Sequence, residues 1–339
     1  RLGKSGLKVS RIILGCMSYG SPEAMPWCLG EKEGIEHIKF AYENGIQTFD
    51  TANFYSNGES EKILGKAIKE LGLPRDEIVI MTKVWATVAR THNEPSYFGR
   101  ADPDKYGYVN QHGLSRKHIF ESVKHSLERL QLDYIDVLHC HRVDPHTPIE
   151  ETMQALHDVV QAGWVRYIGM SSCYAWQFHA MQNYAINSKL TPFISMQNHY
   201  NLLYREEERE MMPTLKYFGV GSIPWAPLAT GNLARPFGNT TLRAGSDPWV
   251  SPYLAQPGSE DIIRRVEEIA KKHSVTMAQV AVAWMFAKDA VSAPVVGSTS
   301  LEKLKDLIGA LDVKLSEEEV KYLEEPYKPQ AIFDHGQTA

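Results

Sequence analysis

The feature of this sequence that most restricts its fold is a regular alternation of short β-branched runs with longer amphipathic segments. The runs predict eight β-strands, at residues 11–15, 47–50, 78–83, 136–141, 167–171, 193–197, 220–224 and 294–297. The segments between them predict helices at residues 31–43, 60–71, 115–130, 148–162, 176–188, 206–217, 261–272 and 276–287. Strands that alternate with helices in this way form parallel sheets with helical crossovers.

The number of repeats distinguishes between two parallel architectures. Eight strand–helix repeats in a chain of 339 residues favour an α/β fold of the (β/α)8, or TIM, barrel type. The alternative is an open doubly wound sheet, which is expected to carry a G-x-G-x-x-G motif after its first strand, and the sequence contains none. We therefore expect one barrel domain over residues 1–339, with a C-terminal tail at about residues 326–339 over the barrel face.

Composition and charge exclude several classes of partner. The 36 basic and 41 acidic side chains leave a formal charge of −5, so we expect no binding to nucleic acid. The longest apolar run, residues 280–287, is far shorter than the roughly 20 residues that a bilayer crossing requires, so we expect no membrane association. The polar residues 1–10 do not resemble a secretory signal, and the four cysteines form no C-x-x-C pair. These observations predict a cytoplasmic protein with buried thiols.

Two segments are too long and too irregular to be simple connections: residues 84–114 and residues 226–258. Long loops inside a compact domain usually serve a function. Because both segments follow strands, a barrel would place them on its C-terminal face, where barrel enzymes have their active sites. We name them the first long loop and the second long loop.

Ionisable side chains stand at the ends of three successive predicted strands. Asp50 ends the second strand, Lys83 the third and His141 the fourth, and Tyr55 follows Asp50 by five residues. A barrel brings the ends of its strands together around one mouth, so these four side chains are expected to converge.

Convergence of these four groups would have a clear chemical use. An ammonium close to a tyrosine stabilises the phenolate and lowers the pKa of the phenol from its ordinary value of about 10. Tyr55 would then serve as an acid, while Asp50 holds Lys83 charged and in place. A neutral His141 could donate a hydrogen bond to a carbonyl oxygen and orient it.

Three motifs resemble those of the aldo-keto reductase family. They are Phe49-Asp50-Thr51-Ala52-Asn53-Phe54-Tyr55 with Gly58-Glu59-Ser60-Glu61, then Thr82-Lys83, then Asp136 to Arg142. The resemblance begins at Leu2 to Leu7, which looks like the bottom-capping hairpin of that family, and extends to Gly297-Ser298-Thr299. The style of the motifs is similar to fungal members that act on aryl aldehydes or secondary-metabolite carbonyls. By this resemblance Asp50, Tyr55, Lys83 and His141 form a catalytic tetrad, with Tyr55 as proton donor.

The resemblance also implies a nicotinamide cofactor, NADP(H), and the residues that hold it. Ser171 and Gln197 would bind the carboxamide, Ser172 replaces the usual Asn, and Trp225 would stack on the ring. The following stretch would hold the pyrophosphate through Pro227, Leu228, Gly231, Leu233 and Arg235, because Ala226 replaces the usual Ser and lacks its hydroxyl.

The segment after the eighth strand corresponds to the adenosine end of the cofactor. The resemblance places Gly297 in the cofactor site and assigns the 2′-phosphate to Ser298, Thr299 and Lys303, whereas Leu307 replaces the Asn that commonly contacts adenine. The same residues are also a plausible helix start capped by a serine, and a helix start suits a phosphate.

The substrate that the resemblance implies is a small carbonyl compound. Aromatic side chains that could form its pocket favour a flat or aromatic molecule, and they are Trp27, Trp85, Tyr97, Trp249, Tyr253 and Phe333. Sugar aldehydes stay open as substrates, and the sequence does not specify an oligomeric state.

Two other classes of function compete with carbonyl reduction. A noncatalytic nicotinamide-binding regulatory subunit of the same fold could keep the whole tetrad, although the aromatic residues of the long loops favour a substrate pocket. A metal-dependent barrel hydrolase would have to use His139 and His141, whose side chains we expect on opposite faces of the strand. No second histidine pair completes such a site, so we expect no metal.

Overall fold

The computed structural model describes residues 1–23, 25–91, 94, 102–239 and 251–332. Eight parallel strands form one sheet, in the order β7-β6-β5-β4-β3-β2-β1-β8. They are β1 (Ile13–Gly15), β2 (Thr48–Asp50), β3 (Val79–Val84), β4 (Ile135–Cys140), β5 (Val165–Ser171), β6 (Phe193–Gln197), β7 (Gly221–Ser222) and β8 (Val295–Val296). Each run of strand-forming residues in the sequence corresponds to one of these strands.

The two outer strands of this sheet meet and close it into a barrel. Ser222 in β7 forms a parallel bridge with Val291, and its carbonyl oxygen accepts a hydrogen bond of 2.7 Å from the Ser292 amide. The Val295 amide in β8 donates to the Pro224 carbonyl oxygen at 2.8 Å. The predicted (β/α)8 barrel is confirmed, because the end of the β7 segment bonds directly to the segment of β8.

Helices alternate with the strands around the barrel. They are α1 (Glu31–Glu43), α2 (Glu59–Glu70), α3 (Arg116–Leu130), α4 (Ile149–Gln161), α5 (Ala175–Asn187), α6 (Met211–Phe218), α7 (Ser251–Leu254), α8 (Ser259–His273), α9 (Met277–Phe286), α10 (Leu301–Ile308) and α11 (Glu317–Glu324). Side-chain caps define several starts: Ser115, Thr276 and Ser316 each accept a hydrogen bond from the amide three residues later. Within the described residues, no helix has the length and apolar character needed to cross a membrane.

The inside of the barrel changes from apolar to polar along the strands. Near the N-terminal ends lies an apolar cluster that includes Val79, Met81 and Val137, and these side chains are almost fully buried. Further along the same inward faces stand Lys83 on β3 and His139 on β4, which are paired in register. Side chains two residues apart in a strand share a face, so each strand contributes both an apolar floor and a polar mouth.

Residues 1–10 close the apolar end of the barrel. Leu2 is fully buried in the apolar cluster, and its amide donates to the Leu7 carbonyl oxygen at 2.9 Å. The expected hairpin is in fact a turn, with no strand within residues 1–10. The cap is held by the Lys4 amide, which donates to the Gly219 carbonyl oxygen at 2.7 Å.

The structure corrects two further expectations about local structure. The predicted helix at 206–217 is divided into a 3₁₀ turn, Glu206–Glu208, and α6, which begins at Met211. Proline is tolerated only in the first turn of a helix, and Pro213 therefore requires a start close to residue 211. The two long loops are also not wholly irregular: they contain the 3₁₀ turns Pro103–Tyr106 and Ala229–Ala234, together with α7.

The described part of the C-terminal tail contacts the connection between β6 and α6. The Tyr327 hydroxyl donates to Glu206 Oε1 at 2.8 Å, and Gln330 Nε2 donates to the Leu203 carbonyl oxygen at 2.7 Å. Residues 333–339, including Phe333, lie outside the described residues. The single domain over residues 1–339 and the position of the tail over the barrel face stay predictions.

Candidate active site

A buried ion pair lies at the centre of the barrel mouth. Lys83 Nζ donates to Asp50 Oδ2 at 2.6 Å, to the Thr51 carbonyl oxygen at 2.7 Å and to the Tyr55 hydroxyl at 3.3 Å. The side chains of Lys83 and Asp50 are 0% and 3% exposed. All three ammonium protons are therefore used, and the Tyr55 oxygen acts as an acceptor toward Lys83. Its own proton is left to be donated elsewhere.

Burial and charge act in opposite directions on these groups. Burial disfavours the ammonium of Lys83, but the negative charge of Asp50 and its hydrogen bond outweigh burial, so the pKa of Lys83 is raised. Burial raises the pKa of Tyr55 more strongly than the positive charge of Lys83 lowers it. The expectation that the nearby ammonium lowers the pKa of Tyr55 overall is thus wrong in its net direction. The phenol keeps its proton at neutral pH.

His141 faces Tyr55 across the mouth. Its ring lies edge-on to the Tyr55 ring, with centroids 6.0 Å apart, and tilted against Phe54 at 5.2 Å. Burial, followed by the positive charges of Lys83 and Arg142, lowers the pKa of His141 well below its ordinary value. The neutral imidazole that we expected for this position is therefore the stable form.

His139 lies one layer deeper than His141, on the same inward face of the barrel. We expected the two side chains on opposite faces, but residues two apart in a strand share a face. His139 Nε2 is 2.8 Å from Ser195 Oγ inside the barrel, and burial lowers the pKa of His139 to about 3. Among the described residues no cluster of three or more His, Cys, Asp or Glu could hold a metal ion.

The residues proposed for the nicotinamide lie beside the ion pair and are linked to it. Gln197 Nε2 donates to Asp50 Oδ1 at 2.8 Å, and Ser171 Oγ donates to the Gln197 carbonyl oxygen at 2.7 Å. Trp225 Nε1 donates to Ser172 Oγ at 3.0 Å. Ser172, which replaces the usual Asn, therefore fixes the orientation of the Trp225 ring.

Trp225 is backed by a second aromatic layer that the sequence analysis missed. The His199 ring stacks on Trp225 with centroids 4.2 Å apart, and Tyr204 stacks on the other face of His199 at 4.2 Å. The Tyr253 hydroxyl is hydrogen-bonded to His199 Nε2. Tyr253 is buried, and it supports this stack from the second long loop.

The proposed pyrophosphate segment is a tight turn at the end of β7. Left-handed backbone occurs at Ala226 (φ 53°) and at Ala229 and Thr230 (φ 47° and 54°), followed by Gly231 (φ 93°). Left-handed non-glycine residues are costly and gather at functional sites. Of the other predicted residues in this segment, Pro227 and Leu233 are buried and Leu228 is half-buried.

Arg235 closes this turn through neutral oxygen atoms. Its Nη1 donates to the Gly231 carbonyl oxygen and its Nε to the Asn239 carbonyl oxygen, both at 2.9 Å. Burial lowers the pKa of Arg235. A partly desolvated guanidinium bonded to carbonyl groups keeps its full charge available to an anion.

The proposed 2′-phosphate segment forms the start of α10. Ser300 caps the helix by accepting from the Lys303 amide at 3.3 Å, and Ser298 Oγ donates to the Ser300 carbonyl oxygen at 2.8 Å. Thr299 is half-buried, whereas Gly297 and the side chain of Lys303 are exposed to solvent. Leu307, at the position where the family commonly has Asn, is buried in the core.

Of the six aromatic residues predicted to line the substrate pocket, Trp27, Trp85 and Tyr253 lie within the described residues, and Tyr253 packs against His199. Trp85 is half-buried beside Lys83 and packs against the core, and its carbonyl oxygen accepts from the Gly113 amide at 2.8 Å. Trp27 is half-buried in the connection between β1 and α1, on the same end of the barrel. Tyr97 and Trp249 lie outside the described residues.

Comparison with known proteins identifies the family. The model of the aldo/keto reductase family matches residues 11–328. This chain belongs to the aldo/keto reductase family. It is 49% identical over 336 residues to a versiconal hemiacetal acetate reductase of Aspergillus parasiticus, covering 98% of this chain and 97% of that protein.

Other fungal members of the family are almost as similar. The aldo-keto reductase AFTS1 of Alternaria alternata is 47% identical, with 99% of this chain and 93% of that protein covered. A Schizosaccharomyces pombe protein provisionally named an aryl-alcohol dehydrogenase is 49% identical, with 98% of this chain and 96% of that protein covered. The resemblance drawn from the motifs is confirmed, and this aldo/keto reductase is an oxidoreductase.

The buried histidines predict a loss of stability in acid. The pKa of His139 is about 3 in the folded protein, against an ordinary value of 6.5, so the unfolded chain binds the proton first as pH falls through 6.5. At pH 5 a single such histidine lowers the free energy of unfolding by about 2 kcal/mol. His139→Gln keeps a polar group toward Ser195. This variant should lose about that much less free energy of unfolding than the wild type between pH 7 and pH 5.

Urea unfolding at the two pH values measures this difference. His146→Gln is the matched control, because His146 is exposed to solvent and the same substitution there should leave the pH dependence unchanged. A wild-type pH dependence in His139→Gln would show that His139 can be charged inside the folded barrel.

Proposed function

We propose that this aldo/keto reductase reduces an aldehyde or ketone to an alcohol with NADPH, and that Tyr55 donates the proton. The observation that carries the proposal is the arrangement around Lys83 Nζ. Its protons point at Asp50, at the Thr51 carbonyl oxygen and at the Tyr55 oxygen, at 2.6, 2.7 and 3.3 Å. A protonated phenol beside a fixed ammonium suits general acid catalysis.

Each member of the tetrad then has one role. When bound, NADPH would supply the hydride that the carbonyl carbon receives. The neutral His141 donates a hydrogen bond to the carbonyl oxygen and orients it, and Tyr55 gives its hydroxyl proton to the same oxygen. Lys83 stabilises the phenolate that remains until Tyr55 is protonated again from solvent, and Asp50 keeps the Lys83 side chain charged and in place.

The cofactor fits the residues around the tetrad. Ser171 and Gln197 would hold the nicotinamide carboxamide, and Trp225 offers a ring whose orientation is fixed by Ser172 Oγ at 3.0 Å and by the His199 ring behind it. The turn from Pro227 to Leu233, with Leu228 and Gly231, and the Arg235 guanidinium would meet the pyrophosphate. Gly297, Ser298, Thr299 and Lys303 would meet the 2′-phosphate at the start of α10.

The substrate that we propose is a flat or aromatic carbonyl compound. Trp85 follows Lys83 by two residues just after β3, and Trp27 follows β1, so both lie on the end of the barrel that carries Tyr55. Tyr97 and Trp249 are proposed from sequence alone. The name of one relative, an aryl-alcohol dehydrogenase, agrees with an aromatic substrate. A cytoplasmic location remains part of the proposal.

The role of Tyr55 predicts the effect of removing its hydroxyl group. Tyr55→Phe should lower kcat for benzaldehyde reduction at least about a hundredfold, which is the lower range of general acid contributions. The dissociation constant for NADPH, measured by quenching of tryptophan fluorescence, should stay nearly unchanged because the hydroxyl serves the chemical step. Benzaldehyde reduction at the wild-type rate would refute Tyr55 as the proton donor.

The start of α10 predicts a preference for NADPH over NADH. The two cofactors differ only in the 2′-phosphate, and one charge-assisted contact to a phosphate gives more than about tenfold discrimination. Lys303→Met should therefore reduce the ratio of kcat/KM for NADPH to that for NADH, and the wild-type ratio should shrink at high salt. Lys305→Met is the control, because Lys305 is exposed two residues further along α10.

Two results would count against this assignment of the phosphate site. If the wild type used NADPH and NADH equally well, the proposed preference for the 2′-phosphate would be wrong. If Lys303→Met kept the wild-type ratio of kcat/KM for NADPH to that for NADH, the phosphate contact would have to come from another cation, such as Arg235.

A further inference from the structure

The side chain of Asn57 joins the turn that carries Tyr55 to the first long loop. Asn57 Oδ1 accepts a hydrogen bond from the Ala89 amide at 3.2 Å. Its Nδ2 donates to the Thr91 carbonyl oxygen at 3.2 Å and to the Glu94 carbonyl oxygen at 3.1 Å. Both amide protons and the amide oxygen thus bind main-chain atoms of this loop, at Ala89, Thr91 and Glu94.

The backbone at Asn57 also favours this residue type. Ser56 and Asn57 both have left-handed backbone, with φ of 47° and 51°. This conformation is costly for most side chains and is tolerated best by glycine and asparagine. Of these two, only asparagine can bond to the loop. The turn that follows Tyr55 therefore combines a left-handed backbone with a side chain that bonds to the first long loop.

Two loop residues next to those bonds, Arg90 and Glu94, are themselves held by Tyr108. The Tyr108 hydroxyl accepts from the Arg90 amide at 3.0 Å and donates to Glu94 Oε2. The Arg90 guanidinium lies over the Tyr108 ring, 4.5 Å from its centroid, and Tyr108 is fully buried. Asn57 therefore bonds to a part of the loop that Tyr108 also holds. These bonds link the position of that part to the turn of Tyr55.

The beginning of the first long loop is fixed by other contacts. Asn53 Nδ2 donates to the Ala86 carbonyl oxygen at 3.2 Å, and the Gly113 amide donates to the Trp85 carbonyl oxygen at 2.8 Å. Loss of the Asn57 bonds would leave these contacts intact. It would remove the direct link between the turn of Tyr55 and residues 89–91 and 94, without releasing Trp85.

We propose that Asn57 is a positioning residue that fixes residues 89–91 of the first long loop against the turn of Tyr55, and that it thereby sets the preference for bulky, flat carbonyl substrates over small ones. This inference rests on the proposed carbonyl reduction. A small aldehyde needs only the mouth of the barrel, where Tyr55 and His141 lie. A bulky aryl aldehyde extends beyond the mouth and depends on where the loop is held.

Asn57→Gly tests the inference, with Asn110→Gly as a matched control. Asn110 lies in the same loop and has the same left-handed backbone, with φ of 61°. It is exposed, and no hydrogen bond of its side chain joins it to the described residues. Glycine relieves the backbone equally at both positions, so a difference between the two variants reports the side-chain bonds of Asn57.

The measurement is kcat and KM with NADPH for 2-naphthaldehyde and for propanal. Asn57→Gly should raise KM for 2-naphthaldehyde about tenfold, the size of one net hydrogen bond, and should leave both constants for propanal within about twofold. Asn110→Gly should match the wild type with both aldehydes.

Three results would overturn the inference: equal losses on both aldehydes, no loss on either, or the same loss in Asn110→Gly. Equal losses would mean that Asn57 supports Tyr55 or the fold as a whole, since a general structural defect does not distinguish substrates by size. A wild type that reduces neither aldehyde would instead refute the proposed function, and this inference with it.

Discussion

The buried ion pair between Lys83 and Asp50 is the interaction on which the rest of the site depends. Taking two charges out of water is expensive, and such a pair persists only when its remaining hydrogen-bonding groups are satisfied. Here the ammonium has three acceptors, and the second carboxylate oxygen of Asp50 accepts from Gln197 at 2.8 Å. The pair thus connects the proposed proton donor on one side with the proposed nicotinamide cradle on the other.

The barrel makes this arrangement possible by separating its interior into two layers. The apolar floor around Leu2, Met81 and Val137 supplies buried area, and the polar mouth above it contains charges that could not be solvated elsewhere in the core. His139 lies between the layers: it is buried and neutral, and its ring approaches Ser195 at 2.8 Å. The residues that stabilise the barrel and the residues proposed for the reaction therefore lie at different positions along the same strands.

Much of this could be predicted from the sequence, because it depends on local pattern. Strand and helix positions follow from apolar periodicity, and the placement of Asp50, Lys83 and His141 follows from their positions at strand ends. The helix predicted at 206–217 is wrong in its start because apolar periodicity alone ignores the effect of Pro213. The opposite orientation expected for His139 and His141 is wrong because the side-chain period of a strand is two residues.

Other features have no local signal. The bond between Gln197 and Asp50 joins residues 147 positions apart, and the stack of Trp225 on His199 depends on how β6 and β7 lie side by side. The net direction of the pKa shift of Tyr55 depends on how deeply the side chain is buried, and no sequence pattern shows this. These features arise from tertiary packing, and only the folded structure shows them.

The most direct test of this account is the rate of hydride transfer in a single turnover of Lys83→Met. With enzyme-bound NADPH and benzaldehyde, the account predicts that the transfer rate falls at least about a hundredfold, because the phenolate of Tyr55 loses its stabilising charge. The dissociation constant for NADPH, followed by tryptophan fluorescence, should show that the variant still folds and binds. A transfer rate equal to that of the wild type in a variant that binds NADPH would contradict the central role of the Lys83–Asp50 pair.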